Sequence, residues 1–135
     1  MKSPLRIMIV DDHPLLRQAV SLFLEQENIV VINAASSGEQ LLRELRHGCQ
    51  PDAILLDIDL PGMSGIETTR KLRHLQPYLP VICMSVRDDP SLIASILQAG
   101  ACGYVRKDST VKELALTIAA AYAQHATTCS LLAHI

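Results

Sequence analysis

The position of Asp57 in the chain suggests a catalytic or ligand-binding role for its carboxylate. It ends the apolar run Ala53-Ile-Leu-Leu-Asp57, and Asp59 and the turn residues Pro61-Gly62 follow almost at once. This pattern places an acid at the carboxyl end of a buried strand, which is where α/β sheets bind ligands. The stretch alone leaves two interpretations open. Asp57 is a nucleophile, a metal ligand or both, or it is a turn acid that caps the next helix.

Other apolar runs also end in polar residues that could join Asp57. Asp11 and Asp12 follow the first run, Ser85 closes the fourth, and Lys107 follows the fifth. In a parallel sheet these positions share one edge, and three carboxylates that meet there require a divalent cation. Oxygen ligands with retained waters suit Mg²⁺ or Mn²⁺. A carboxylate nucleophile beside a metal, an ammonium and a hydroxyl meets the needs of phosphoryl transfer, because these groups neutralise charge on the equatorial oxygens.

Each of these residues also has a purely structural interpretation. An acid pair after a strand is a frequent helix N-cap signal. A single serine there is a common turn residue, and a single lysine is usually a surface residue. Their coincidence at one predicted sheet edge favours the chemical interpretation.

The pattern along the chain predicts five strands that alternate with five helices. Alternation of this kind predicts an α/β fold with a parallel sheet, helices on both faces and right-handed crossovers. Helix starts are signalled by Pro14 and Pro90 and by capping boxes at Ser36-Ser37, Ser64 and Thr110. Gly100 ends the fourth helix, whose predicted buried stripe is Ile93, Ile96 and Leu97, and the last helix runs to about Tyr122. The predicted strands span residues 5–10, 29–32, 53–57, 80–85 and 101–105.

Composition narrows the class of protein. The length of 135 residues fits one domain, and the net charge of −2 argues against non-specific nucleic-acid binding by this segment. The N-terminus has no apolar leader, and no membrane span is convincing, so we expect a cytoplasmic protein without a membrane partner. The four cysteines form no C-x-x-C pair and are expected to be reduced; Cys83 and Cys102 have the surroundings of small core residues.

The C-terminal segment is unusually free of charge. No Lys, Arg, Asp or Glu occurs from Leu114 to Ile135. A helix that is apolar beyond one stripe packs on a second side. We therefore expect this segment to cover the domain, to meet a partner, or to continue into a longer chain.

Several motifs lie around these strand ends, namely Val10-Asp11-Asp12-His13, Leu56-Asp57-Ile-Asp59-Leu-Pro61-Gly62-Met63-Ser-Gly65, Met84-Ser85 and Gly103-Tyr104-Val-Arg-Lys107. Together they resemble the receiver domain of two-component response regulators, and the resemblance reaches about Ala123. The stretches Asp-Asp-His-Pro from Asp11, Ser85-Val-Arg-Asp-Asp and Lys107-Asp-Ser-Thr110 resemble the NarL/LuxR-type subgroup.

The resemblance implies a flavodoxin-like, doubly wound five-stranded sheet of order 2-1-3-4-5 with five helices. It also implies a receiver domain over residues 1–123, with residues 124–135 as a tail or as the start of a linker to a DNA-binding domain absent here.

The resemblance implies a role for each site residue. Asp57 would accept a phosphoryl group from a sensor histidine kinase or phosphotransfer protein in a phosphorelay. Asp12 and Asp57 would ligate Mg²⁺ by side chain and Asp59 by its backbone carbonyl, with Asp11 holding a metal water. Lys107 would bind a phosphoryl oxygen, while Ser85 and Tyr104 would switch inward. The domain would not be an enzyme, although it would assist its own phosphorylation and dephosphorylation.

Three residues depart from the family pattern or allow a second interpretation. Val86 follows the switch serine, where the wider family often has a smaller residue that leaves the phosphoryl group more room. Asp108 stands where many receivers have proline, and it leaves the isomer of the preceding peptide bond open. His13 could be a metal ligand, but we interpret it as a residue of the first helical turn.

Two other functions compete with the receiver interpretation. A haloacid-dehalogenase-type phosphohydrolase would share Asp57-Ile-Asp59, but its D-x-D should close the first strand and Pro61 stands where Thr or Val is expected. A phosphorylation-independent interaction domain would show erosion of the acids or the lysine, and none is eroded here. For the receiver, the expected output is transcriptional control, with DNA bound only through the absent domain and with homodimerisation through the last helix.

Overall fold

The computed structural model describes residues 3–133, with side chains as far as His125. Its elements alternate strictly between strand and helix, as the apolar periodicity predicts. The strands are β1 (Leu5–Val10), β2 (Ile29–Ala35), β3 (Ala53–Asp57), β4 (Val81–Ser85) and β5 (Gly103–Arg106). The helices are α1 (Pro14–Glu25), α2 (Gly38–Arg46), α3 (Gly65–Leu75), α4 (Pro90–Ala99) and α5 (Val111–Ala133).

The strands form one parallel sheet in the order β2-β1-β3-β4-β5. This is the doubly wound, flavodoxin-like order that the motifs implied, and the predicted fold class is confirmed. The strand order reverses at β1 and β3, and ligands bind at such a switch point in open α/β sheets. The register pairs Val10 with Leu56 and Asp57 with Met84, so the ends of the central strands are level.

Two apolar layers cover the sheet. One face packs against α2, α3 and α4 through residues such as Leu41, Leu72 and Ile96. The other packs against α1 and α5 through Leu24 and Ile118. Every residue of β3 is buried, which explains why its sequence is a continuous apolar run up to the terminal acid.

Local signals set the helix ends where the sequence placed them. The hydroxyls of Ser37 and Ser64 accept hydrogen bonds from the third helical residue of α2 and α3. The carboxylate of Asp89 caps α4 in the same way. Gly100 ends α4 with φ at 114°, a left-handed conformation that glycine adopts without a Cβ penalty.

Several sequence expectations are wrong in detail. The buried stripe of α4 is Leu92, Ile96 and Ala99, whereas Leu97 is 50% exposed, because the face of the helix that packs on the sheet carries Leu92 and Ile96. Cys102 is only half-buried and borders the core, unlike the fully buried Cys83.

The last helix is also longer than expected. It continues past Tyr122 to Ala133, because the added residues include neither glycine nor proline and several alanines and leucines favour helix. Strand β2 likewise extends three residues beyond the predicted Ile32, to Ala35. Among residues 3–133, no helix combines the length and hydrophobicity needed to cross a bilayer.

Candidate functional site

The carboxyl edge of the sheet brings the sequence-predicted acids and lysine together. Asp11 directly follows β1 and Asp57 ends β3, and both carboxylates are fully buried. Lys107 directly follows β5, where its backbone N–H donates to the Ser85 carbonyl at 2.9 Å. That bond continues the β4–β5 ladder by one residue and directs the long lysine side chain over β4 toward the centre of the sheet.

Lys107 joins the two buried acids. Its ammonium donates a hydrogen bond to Asp57 Oδ2 at 2.8 Å and lies 3.0 Å from Asp11 Oδ2. The second contact is an ion pair without good hydrogen-bond alignment, which leaves Asp11 Oδ2 buried with no hydrogen-bond partner within the described residues. A buried carboxylate oxygen in this state has coordination capacity to spare.

Burial and pairing act in opposite directions on the charges. Burial raises the pKa of Asp57 above 3.8, and the hydrogen bonds from Lys107 and from the Asp59 N–H offset this rise only in part. Burial alone would lower the pKa of Lys107, but its hydrogen bond to Asp57 and its pairing with the Asp11 carboxylate outweigh that effect and raise the pKa above 10.5. The lysine is therefore a fixed cation at neutral pH.

The acids form a donor set that fits a divalent cation. Ligand atoms from Asp11, Asp12, His13 and Asp57 all lie within 4.8 Å of one another. Carboxylate oxygens suit Mg²⁺ or Mn²⁺, and the exposed Asp12 leaves one side open for retained water. Within the described part of the chain, no hydrogen bond reaches the Asp59 backbone carbonyl. The Asp59 side chain instead points outward and pairs with Arg87 at 3.1 Å.

His13 contributes more to the site than its sequence position suggested. It is the N-cap residue of α1, one position before the predicted first turn, and its side chain makes no cap. Its ring Nδ1 lies 2.8 Å from Asp11 Oδ1 and 3.2 Å from Asp12 Oδ1. The order Asp-Asp-His could have revealed this, because a residue two positions beyond an acid can contact it through an Asx-type turn.

The two residues predicted to switch both contact Arg87. The Arg87 N–H donates to Ser85 Oγ at 3.1 Å, and the Tyr104 hydroxyl donates to the Arg87 carbonyl. Tyr104 is half-buried, as the structural interpretation expected. Val86, which stands between Ser85 and Arg87 in the chain, is 62% exposed.

Two arginines that the sequence analysis did not identify form ion pairs with the loop between β4 and α4 or from within it. Arg106 pairs with Asp88 at 2.6 Å and with Asp108 at 3.0 Å, while Arg87 pairs with Asp59. The only available signal was spacing, since Arg87 and Asp59 each stand two residues after a strand end. The Lys107–Asp108 peptide bond is trans.

Gly65 lets α3 approach the end of β3. A Cβ atom at this position would clash with the Asp57 carbonyl and lie 2.5 Å from Ile58 Cα. The Gly65 N–H donates to the Ile58 carbonyl at 2.9 Å. This contact closes the turn that follows Asp57 and so fixes the direction of the nucleophile candidate.

Comparison with known proteins defines the class to which this fold and site belong. The response regulator receiver domain family matches residues 7–119. The chain is 34% identical over 120 residues to the response regulator GacA of Pseudomonas viridiflava, covering 88% of this chain and 56% of that protein. It is 38% identical over 114 residues to the nitrate/nitrite response regulator protein NarL of Escherichia coli K12, covering 84% and 52%. The chain thus spans about half the length of these curated relatives.

A solved structure agrees with the sequence relatives. The signal receiver domain of the putative response regulator NarL from Mycobacterium tuberculosis superposes with a TM-score of 0.82 at 30% identity, covering 90% of this chain and 98% of that one. The chain therefore belongs to the response regulator receiver domain family, and its relatives are of the NarL/LuxR type. Receiver domains of this family act in two-component signalling with sensor kinases, and they are generally signalling domains without enzymatic turnover.

Proposed function

We propose that Asp57 accepts a phosphoryl group from the phosphohistidine of a sensor histidine kinase or phosphotransfer protein. The observation that carries this proposal is the 2.8 Å contact between Lys107 Nζ and Asp57 Oδ2 at the buried carboxyl edge. Asp57 has its other oxygen held by the Asp59 N–H at 3.0 Å, so its direction is set before a donor arrives. As one Asp57 oxygen bonds to phosphorus, the imidazole of the donor departs, and Lys107 is placed to pair with a phosphoryl oxygen.

Asp12 and Asp57, with the Asp59 backbone carbonyl, are the proposed ligands of a Mg²⁺ ion, and Mn²⁺ would also suit them. Asp11 would hold a metal-bound water. This role fits its buried Oδ2 atom, which has no hydrogen-bond partner within the described residues. The bound ion would neutralise charge on the phosphoryl oxygens. Metal binding requires His13 to leave the Asp12 oxygen that it contacts at 3.2 Å.

The proposed switch follows from the contacts of Arg87. Ser85 Oγ accepts from the Arg87 N–H and keeps its own hydrogen for a phosphoryl oxygen, but a rotation toward that oxygen would carry Oγ away from the Arg87 N–H. Tyr104 must release the Arg87 carbonyl before its ring turns inward. One loop residue therefore opposes both movements in the present state. Phosphorylation would move the equilibrium by giving Ser85 a charged acceptor in place of a neutral contact.

The proposed output is transcriptional control through a DNA-binding domain outside this chain and through a homodimer formed by α5. The outer face of α5 includes Leu116, which is 67% exposed, and the exposed small residues Ala119 and Ala120. Small residues allow a second backbone to come close, and an exposed apolar stripe favours association. DNA contact would occur only through the absent domain, and the protein would act in the cytoplasm.

Labelling with acetyl phosphate tests the proposal. With Mg²⁺, the protein should take up about one acid-stable, base-labile phosphoryl group, and Asp57→Asn should take up none because an amide is a poor nucleophile. The domain would assist its own phosphorylation and dephosphorylation, and the label should not exceed about one phosphoryl group per chain. Sustained turnover of a phosphomonoester would instead support a hydrolase, and no labelling of the folded protein would support a phosphorylation-independent domain.

A further inference from the structure

A cysteine and a histidine meet at the opposite end of the sheet from the acids. Cys102 directly precedes β5, and His125 lies on α5. Cys102 Sγ and His125 Nδ1 are 3.1 Å apart, and both residues are half-buried. This distance brings an imidazole into hydrogen-bond contact with a thiol.

A third group determines which ring nitrogen faces the sulfur as a base. His125 Nε2 lies 3.0 Å from the backbone carbonyl oxygen of Tyr78, which can only accept a hydrogen bond. Nε2 therefore carries the hydrogen, so in the neutral ring Nδ1 is the acceptor and the Cys102 thiol must donate to it. A nucleophile, a base and a group that orients the base are thus in line, which is the arrangement that activates cysteine nucleophiles.

The other described cysteines lack this arrangement. Cys83 is fully buried, and burial raises the pKa of its thiol to about 12. Cys49 is half-buried like Cys102, but the contact of its sulfur is the thioether of Met8 at 3.6 Å, which is no base. Cys49 and Cys83 therefore serve as internal controls within the same molecule.

Open space adjoins the Cys102–His125 pair. A concavity of about 220 Å³ is lined by Cys102, Ala121, Gln124 and His125. A second, of about 480 Å³, is also lined by His125, together with residues that include Tyr78, Pro80 and Tyr122. A small reagent can therefore approach the sulfur without unfolding of the sheet.

We propose that Cys102 and His125 form a reactive thiol site that exchanges with low-molecular-weight disulfides. The thiol proton passes to His125 Nδ1 while the sulfur bonds to one sulfur of the disulfide and the original S–S bond breaks. The departing thiolate then takes the proton from His125. The protein thiol is oxidised to a mixed disulfide and one half of the reagent is reduced to a thiol, so atoms and electrons balance.

The test measures exchange with oxidised glutathione at each cysteine, by mass spectrometry after acid quenching. All proteins carry Cys129→Ser, which removes the cysteine whose side chain lies outside the described residues. Each rate is divided by the rate of the same cysteine in the unfolded chain. Because His125 can take the thiol proton as the sulfur attacks, we expect the relative rate at Cys102 to exceed that at Cys49 by about three- to fivefold. An equal or slower rate at Cys102 overturns the proposal.

The His125→Gln variant tests whether the imidazole acts as a base or only shields the sulfur from the reagent. Glutamine can still donate to the Tyr78 carbonyl, but it cannot take a proton from the thiol. The proposal expects the Cys102 rate to fall to the Cys49 rate or below, with the Cys49 rate unchanged. If the imidazole only shields the sulfur, the shorter glutamine side chain leaves the rate unchanged or increases it, and either result overturns the proposal.

This site is independent of the proposed phosphorylation. Cys102 directly precedes β5 and Lys107 directly follows it, so the two sites lie at opposite ends of this strand. Acetyl phosphate labelling of the Cys102→Ser variant should match that of the parent protein, so failure of one proposal leaves the other standing.

Discussion

Replacing Lys107 with methionine should destabilise the protein, because it removes the cation that pairs with two buried carboxylates. Methionine keeps most of the side-chain length but has no charge. In the parent protein the ammonium is 2.8 Å from Asp57 and 3.0 Å from Asp11, and the lysine side chain is only 14% exposed. Breaking a buried ion pair by removing one partner costs roughly 3–5 kcal/mol in general.

The loss of unfolding free energy in Lys107→Met has an upper limit, because the Asp57 carboxylate can take up a proton and become neutral. Protonating a carboxyl whose ordinary pKa is 3.8 costs roughly 1.4 kcal/mol for each pH unit above that value, or about 4 kcal/mol at pH 7. We therefore expect Lys107→Met to lower the free energy of unfolding by about 2–4 kcal/mol at pH 7. At pH 5 the same limit falls to about 2 kcal/mol, so the deficit should shrink as the pH falls.

The sign of this pH dependence follows from the raised pKa of Asp57. A carboxyl whose folded pKa lies above the unfolded value contributes stability that is fully present below the unfolded pKa and is lost as the pH rises through the folded pKa. Without Lys107 the opposing hydrogen bond is lost and the folded pKa rises further. Lys107 itself has a raised pKa, so its contribution is present at neutral pH and is lost only at alkaline pH.

Urea unfolding at pH 5 and pH 7, without divalent cations, measures this effect. The matched experiment is the double-mutant cycle with Asp57→Asn, which leaves Asp11 as the one buried partner of the lysine. The cycle should show a coupling energy of about 1 kcal/mol or more at pH 7. Added Mg²⁺ should stabilise Lys107→Met as a substitute cation. A deficit that is the same at both pH values, together with a coupling near zero, would refute the electrostatic explanation.

Two further substitutions test the packing of α3 and the proposed association. Gly65→Ala should cost about 3 kcal/mol in urea unfolding, because its Cβ meets backbone atoms; Gly103→Ala, whose nearest contact is 3.4 Å, is the control and should cost under about 1 kcal/mol. Leu116→Glu should weaken dimerisation of the beryllofluoride-treated protein in sedimentation without changing the labelling rate, whereas Leu22→Glu on α1, at a site 66% exposed, should not. Equal association of the Leu116→Glu variant and the parent would place the interface elsewhere.

The sequence predicted which polar residues lie at the carboxyl edge of the sheet, because the end of a buried strand can be recognised from the local sequence pattern. A buried parallel strand reads as a continuous apolar run, so the polar residue that ends it marks the edge of the sheet. Asp11, Asp57, Ser85 and Lys107 were all located in this way, and the structure brings Asp11, Asp57 and Lys107 within 3.0 Å contacts. Whether they act chemically as proposed is what the labelling experiment decides.

The contacts that the sequence did not predict depend on side-chain direction across separate loops. Arg106 and Asp88 are 18 residues apart, and nothing in their local pattern distinguishes a paired from a solvated arginine. The Cys102–His125 pair is hidden for the same reason, and the predicted end of α5 near Tyr122 would have left His125 outside the helix. The error in the α4 stripe arose differently, since Leu92 and Leu97 are equally apolar and only the packed phase of the helix separates them.

The charge balance at the acidic edge gives a reason why the proposed phosphorylation would need a further cation. The three carboxylates of Asp11, Asp12 and Asp57 and the one ammonium of Lys107 have a net charge of −2. One divalent cation would neutralise it. In the present state the repulsion among these carboxylates is reduced in two ways. Asp12 is exposed to solvent, and His13 Nδ1 contacts the carboxylates of Asp11 and Asp12. Phosphorylation would replace the single charge of Asp57 with a group of about two negative charges, for which the only lysine in the cluster is already shared. A donor hydroxyl would then have to come from outside the cluster, and Ser85, whose Oγ now accepts from the Arg87 N–H, would supply it by rotating away from Arg87. In the proposed switch, the electrostatics of the acids and the movement of the Arg87 loop would therefore be one coupled step.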